Sequence, residues 1–280
     1  MKEEKWTVEI EPSSQNVRTE IKEVWEYRQL IKMFIKRDFK TMYAQTVLGP
    51  VWFLLNAFLS AGIMTIVFGR IAGISTNGTP EFLFFLSGNI LWNNFSGCVS
   101  GVAGTFTSNV RLMGKVWFPR LCVPISMVLS KQIRFLIQFG MLMILYLCYG
   151  LFGADEVVWG QFLLLPLLLL QMMVLALGCG TILASVTVKY RDLIVLTGFF
   201  LQIWMYATPV VYPASQIPES LKSIFMLNPM APIVETFRCI LFGGKIPTEY
   251  LLVSIVVTLV VAVIGMNGFQ RAQRSFLDTV

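Results

Sequence analysis

Long, largely uncharged runs alternate along this chain with short segments in which charged residues gather. Six such runs, at 47–68, 82–104, 121–150, 161–188, 193–211 and 250–269, each approach or exceed the length needed to cross about 30 Å of hydrocarbon at about 1.5 Å per residue. The pattern predicts an all-α integral membrane protein in three parts: a cytoplasmic segment 1–46, a six-span domain 47–269 and a cytoplasmic tail 270–280. The first run carries Asn56 and is expected to kink or open near Gly49 and Pro50. The second is unusually polar, with Asn89, Asn93 and Asn94, and holds a small-xxx-small pair at Gly97 and Gly101. The third is too long for one crossing, so its first turns, with Lys131 and Arg134, are expected to project into the cytoplasm or a watery cavity.

The segments between and before the runs have patterns of their own. Residues 1–46 are charged, with Lys2, Glu3, Glu4 and Lys5 leading, and do not show the basic start and apolar core of a cleavable signal peptide. From Ile21 a helical stripe runs through Val24, Trp25, Ile31, Ile35, Phe39 and Met42, predicting an amphipathic helix in the membrane interface, with an ordinary soluble helix as the other reading. Segment 108–120 is short and basic with apolar residues interspersed. It suits a small helix parallel to the membrane whose Leu112, Met113 and Val116 dock into a partner's groove, and equally a connector that only fixes topology. Segment 207–218 is repeatedly broken by Pro209, Pro213 and Pro218. Beyond it, 220–226 and 230–242 read as re-entrant or interfacial helices on the outer side, forming a gate or a structural plug.

Composition agrees with a membrane solvent: 56% of the 280 residues are hydrophobic and 14% charged, against about 25% charged in a soluble domain. The formal charge of +6 sits mainly at the ends of the runs. It therefore reads as topology signal, and nucleic acid is not an expected partner. Arg111, Lys115 and Arg120 follow the second run without an acid, whereas Asp155 and Glu156 lie in a loop without a base. Both termini are accordingly expected on the cytoplasmic side. There is no His, and the five Cys are scattered, which removes support for zinc sites, His-based acid–base catalysis and disulfide frameworks. No metal, cofactor or catalytic residue is assigned to the chain.

No run contains a central Asp or Glu to carry a coupling ion, and no phosphate-binding GxxxxGK[ST] loop occurs. ATP supplied by another chain is the better energy source. Aromatic residues, 13% of the chain, fall within the runs as Trp52, Phe53, Trp92, Phe95, Phe199, Phe200, Trp204 and Tyr206. Aromatic faces suit the C–H faces of sugars, and amides suit hydroxyls, so a path lined by both would let a glycan slide; lipid-facing belts use the same residues.

Several motifs occur together and in order. They are Arg37-Asp38, Lys40, Tyr43, Leu48-Gly49-Pro50, Trp52 and Leu55-Asn56; Lys115 through Arg120; Tyr190-Arg191-Asp192-Leu193; Thr208 through Pro213; and Leu227-Asn228-Pro229. From about Glu20 to Asp278 the chain resembles the permease subunits of type-2 ABC exporters of polysaccharide, a family that includes O-antigen, capsule and teichoic-acid exporters. Pro50 departs from the family's usual residue, and the resemblance does not account for Lys131 or Arg134.

The resemblance implies a homodimer of six-span subunits joined to two copies of a separate ATPase, which would bind the ATP and Mg. The segment before position 47 would hold the gate helix. Asn109, Val110, Arg111, Leu112, Met113, Gly114, Lys115, Val116 and Trp117 would form the helix coupled to the ATPase. Short gate helices would lie between Tyr212 and Tyr250, with Pro209, Tyr212, Pro213, Asn228 and Pro229 as gate candidates. The first and fifth runs would line a channel, making Trp52, Phe53, Asn56, Phe199, Trp204 and Tyr206, with Trp92, its candidates. Lys36, Arg37 and Lys40 would attract the pyrophosphate of a polyprenyl-linked glycan, or serve only as positive flanking charge. An exporter of a drug or lipid, and a membrane glycosyltransferase or polymerase, are the competing readings.

Overall fold

The computed structural model describes residues 23–43, 49, 51–109, 113, 116, 118–151, 159–190 and 192–277. Peptide groups in hydrocarbon have no water to bond, so apolar runs satisfy them internally as helices. No strand occurs among the described residues. Helix α1 is Arg28–Tyr43; α2 is Val51–Met64 and widens into a π-helical stretch over Thr65–Ile71; α3 is Glu81–Ala103. After a short turn at Thr105–Ser108 comes α4, Cys122–Leu151. A 3-10 turn, Trp159–Leu164, leads into α5, Leu165–Thr187. The remaining helices are α6, Leu193–Tyr206; α7, Glu219–Leu227; α8, Met230–Phe242; and α9, Thr248–Leu277.

Among the described residues, four stretches are long and apolar enough to cross a bilayer: Val51–Ile71, Cys122–Gly150, Gln161–Thr187 and Thr248–Gln273. Helix α3 has the length, 23 residues, but carries many amides and hydroxyls. It is the innermost helix, with α2, α4, α5 and α6 packed on it, and Phe85, Leu86, Ile90, Leu91 and Phe95 are wholly buried. Helix α9 continues through 270–277, where the hydrophobic run predicted only a tail.

The fifth run departs from its predicted end at Val211. Helix α6 has 14 residues and stops at Tyr206. Pro209 disfavours helical backbone at Thr208 and cannot supply a helix N–H itself. The Thr208 hydroxyl donates back to Trp204 O at 2.9 Å as the helix ends. The irregular chain beyond is nevertheless buried at Thr208, Val210 and Val211, the condition under which broken backbone is tolerated at membrane depth.

Helices α7 and α8 meet at a 101° bend. Helix α8, read as re-entrant or interfacial, is packed inside the protein. Met230, Ala231, Ile233, Val234 and Phe237 have no exposure at all, and even Arg238 is buried, so the helix is core on every side.

Helix α1 also differs from a free surface helix. Val24, Ile31 and Phe34 are buried in a cluster with Phe118, Leu121 and Phe269, and the Phe34 and Phe118 rings lie 5.9 Å apart. Trp25 and Phe39 of the predicted stripe stay exposed, while Ile21 and the Met42 side chain lie outside the described residues. The apolar side of the helix has found a protein partner, α4 and the chain leading into it.

The closest helix crossings use glycines other than the predicted pair. A methyl group at Gly97 would meet nothing within 4 Å, and one at Gly101 would make only ordinary contact with Lys131. At Gly178 it would lie 2.8 Å from the Ala262 backbone, and at Gly265 it would collide with Gly178 O. Helices α5 and α9 therefore cross backbone to backbone, as small residues permit in membranes.

Candidate transport path and coupling segment

Both α2 and α6 pack on α3, and the outward faces of these two helices hold most of the predicted channel residues. Trp52 and Asn56 on α2, and Phe199 (64% exposed) and Tyr206 on α6, are open. Phe53 is half-buried: Gln138 Nε2 of α4 donates to its carbonyl at 3.0 Å, and the Arg134 guanidinium sits 4.5 Å from its ring centroid. That stacking gives Arg134 a place against the protein, which the hydrophobic run alone did not provide.

Trp92 does not belong with the open aromatics. It is 3% exposed, and its ring stands edge-on to that of Trp204 at 6.2 Å. Phe95 approaches Trp204 at 5.3 Å in the same manner. Trp92 is therefore a packing residue between α3 and α6, and a path along the protein's surface does not reach it. Trp204 is half-buried and shared between this cluster and the α7–α8 end of the site.

Asn228 organises the end of the site where α6 stops. Its Oδ1 accepts from Trp204 Nε1 at 3.0 Å and from the Met230 N–H at 3.1 Å. Its Nδ2 donates to Ala207 O at 3.2 Å and to the Thr208 hydroxyl at 2.9 Å. One carboxamide thus joins the end of α6 to the α7–α8 bend, using both its donor and acceptor ends. Ser254 of α9 donates to Pro229 O at 2.6 Å, and the Tyr212 hydroxyl to Tyr206 O at 2.9 Å. A cavity of about 300 Å³ lies here, lined by Trp204, Ala207, Ile224, Phe225, Asn228 and Pro229.

Pro209 is held from beneath by a residue not predicted for the site. Arg238 of α8, 5% exposed, donates from Nη1 to Pro209 O at 2.6 Å and from Nη2 to Val210 O at 2.5 Å. Its guanidinium covers the Phe84 ring at 3.6 Å. Glu235, one turn earlier, lies 4.0 Å from Arg238 and accepts the Ala214 N–H at 2.8 Å. Together the two side chains grip the segment that follows Pro209 and include Pro213 between their contacts. Gly88 of α3 makes room for them, since a methyl group there would come within 2.5 Å of Arg238 Nη2. The available signal was an Arg and a Glu three residues apart in an otherwise apolar 13-residue helix.

At the other end of the molecule, described residues of segment 108–120 are keyed into the bundle. Asn109 is buried, and its Nδ2 donates to Thr105 O at 3.1 Å. Met113 is 5% exposed and belongs to the cluster that holds α1, α4, α5 and α9 together. It faces its own protein, which corrects its assignment as a docking residue. Val116 is 57% exposed and remains an apolar group offered outward. Arg120 Nη1 donates to Gln273 O at 2.9 Å, and burial lowers its guanidinium pKa from the ordinary value. Val110, Arg111, Leu112, Gly114, Lys115 and Trp117 lie outside the described residues.

The three predicted cations on α1 are separated by their surroundings. Arg37 bonds Asp38 Oδ1 through Nε at 3.0 Å and Nη2 at 2.8 Å, and the Ser130 hydroxyl of α4 donates to Asp38 Oδ2 at 3.4 Å. Lys36 lines an open cavity of about 440 Å³ with Lys32, Ile35, Phe39 and Ile133, and Lys40 is exposed.

Comparison with known proteins matches this arrangement to one family over most of its length. Residues 29–242 match the family model described as ABC-2 type transporter. The chain is similar to an O-antigen export system permease protein of Myxococcus xanthus, 28% identical over 93% of this chain and 98% of the relative. It is also similar to an O-antigen export system permease protein of Klebsiella pneumoniae, 24% identical over 89% of this chain and 94% of the relative. A polysialic acid transport protein of Escherichia coli is 21% identical over 89% of this chain and 95% of its own length. With a match that runs from α1 through α8, the chain belongs to the ABC-2 type transporter family.

Proposed function

We propose that this chain is the membrane-spanning subunit of an ATP-driven exporter that carries a polyprenyl-pyrophosphate-linked polysaccharide across the inner membrane. O-antigen-like, capsule-like and teichoic-acid-like polymers are the candidate cargoes. A second copy completes the path, and two copies of a separate ATPase bind ATP and Mg. In this reading α3 and α6 also cross the membrane, giving six spans with both termini cytoplasmic. The observation that carries the route is the pair of open faces on α2 and α6, where Trp52, Asn56, Phe199 and Tyr206 have no covering helix among the described residues. The O-antigen and polysialic acid relatives support the cargo class.

The described contacts suggest how ATPase movement would be passed on. Met113, Phe118 and Arg120 tie the coupling segment to α9 and to the cluster that buries Val24, Ile31 and Phe34. A shift of the segment would carry α1 with it, because packed interfaces move between discrete arrangements. Lys36 and Lys40 would then receive the anionic carrier at the cytoplasmic surface, where cations meet phosphate oxygens. At the outer end, the segment held by Asn228 and Arg238 would form the gate. The chain itself does no covalent chemistry.

Depleting the protein should leave carrier-linked polymer of normal structure inside the cell and the surface bare, measured by fractionation and glycan staining. Normal surface polymer after depletion would reject the polysaccharide reading, and absence of polymer everywhere would favour a synthase.

A further inference from the structure

Helix α3 carries an open polar strip in the middle of the membrane domain. Asn93 is its central residue and is exposed; Ser100 is exposed, and Ser96 and Gly97 are partly so. With Asn89 they recur at helical spacing on one side. The neighbouring sides are occupied: Trp92 meets Trp204 of α6, Asn94 donates to Gln132 of α4 at 3.1 Å, and Val102 abuts Gly180 of α5. Three turns earlier the strip's own side carries Phe82, covered by Phe58 of α2 at 4.9 Å. From Asn93 onward that cover ends, and a methyl group at Gly97 would meet nothing within 4 Å.

A second observation concerns Asn89. It is 3% exposed, and its Oδ1 accepts from Asn93 Nδ2 at 2.7 Å, so its carboxamide is turned toward the strip. Its own Nδ2 is buried and has no partner among the described residues. A carboxamide offers two donors and two acceptor lone pairs, and this pair leaves several unused. Facing lipid, those groups would be as costly as any unsatisfied amide in hydrocarbon. They require a polar occupant; within α3 the charge is Glu81 at one end, and Lys131 of α4 lies beside Gly101 at the other. Between them the amides and hydroxyls suit a hydroxyl-rich ligand.

We propose that Asn93, Ser96 and Ser100, backed by Asn89, form a hydroxyl-binding strip on the floor between α2 and α6, contacting the polysaccharide as it passes. This rests on the export reading above, and adds a set of polar contacts from α3 to the aromatic faces of α2 and α6. Single substitutions Asn93→Cys and Ser100→Cys, made in the full transporter, test it with a sulfonated, lipid-insoluble methanethiosulfonate, scored above the unsubstituted protein. Both positions should react, and reaction should slow when export is stalled with polymer in place. Asn93→Leu should cut surface polymer about fivefold, the worth of one neutral hydrogen bond, with Asn93→Ser falling between it and the unsubstituted protein.

Three results would overturn the strip. Unreactive thiols that instead form a disulfide between copies would make it a subunit contact, and unreactive thiols without one would make it lipid-facing. Full export by Asn93→Leu would likewise remove it from the path. None of these touches the export reading, which depends on surface polymer after depletion in the same strain.

Discussion

Arg238→Met is expected to destabilise the folded permease by about 3–5 kcal/mol, the usual effect of removing one member of a buried ion pair. The substitution keeps much of the side-chain volume but strips the donors from Pro209 O and Val210 O, which are then left in a dry interior. It also leaves Glu235 without its cation. Arg238→Lys should recover only part of the loss, because an ammonium is a point charge and cannot fork between two carbonyls. The double substitution E235Q/R238M should be more stable than Arg238→Met alone, since it removes the uncompensated carboxylate. Thermal midpoints of the detergent-purified protein give the order, and an unchanged midpoint for Arg238→Met would show that the clamp is not holding the outer segment.

Val116→Asp and Met113→Asp should fail in different ways, although they are three residues apart. Val116 is open to solvent on the coupling segment, so a carboxylate there leaves the fold intact. If the ATPase seats on this residue, the same carboxylate would be buried without a partner in the complex, at several kcal/mol. Each 1.4 kcal/mol is a factor of ten in association. Surface polymer should therefore fall at least about tenfold while the permease inserts at its normal level and melts normally. Met113 lies in the cluster shared by α1, α4, α5 and α9, and its replacement should instead lower the amount of folded protein. Co-purification of the ATPase separates the outcomes, and retained ATPase with full export by Val116→Asp would remove Val116 from the interface.

The helices themselves were readable because lipid leaves an apolar run little choice of backbone. Which side of each helix faces inward was much less readable. Core and hydrocarbon are about equally apolar, so nothing in composition separates the buried Trp92 from the open Phe199. The stripe on α1 was visible, but an interface and a protein neighbour reward the same pattern, and Val24 and Ile31 turned to protein. Helix α8 misled for an opposite reason. Segment 230–242 read as re-entrant or interfacial, whereas its Glu235 and Arg238 bond the broken backbone around and after Pro209, with Arg238 buried and Glu235 partly so. That pairing depends on contacts between distant parts of the chain, which local spacing does not encode. Met113 and Val116 show the same limit at shorter range, both being apolar residues in one basic segment.

The most direct test of the route is site-specific photo-cross-linking in the full transporter with export stalled. A photoreactive residue would replace Phe199 or Trp52, with Val263 on the exposed side of α9 as the control. A route along α2 and α6 gives adducts that carry glycan at Phe199 and Trp52, and lipid alone at Val263. Glycan missing from both α2 and α6 in a transporter that still delivers polymer to the surface would contradict it.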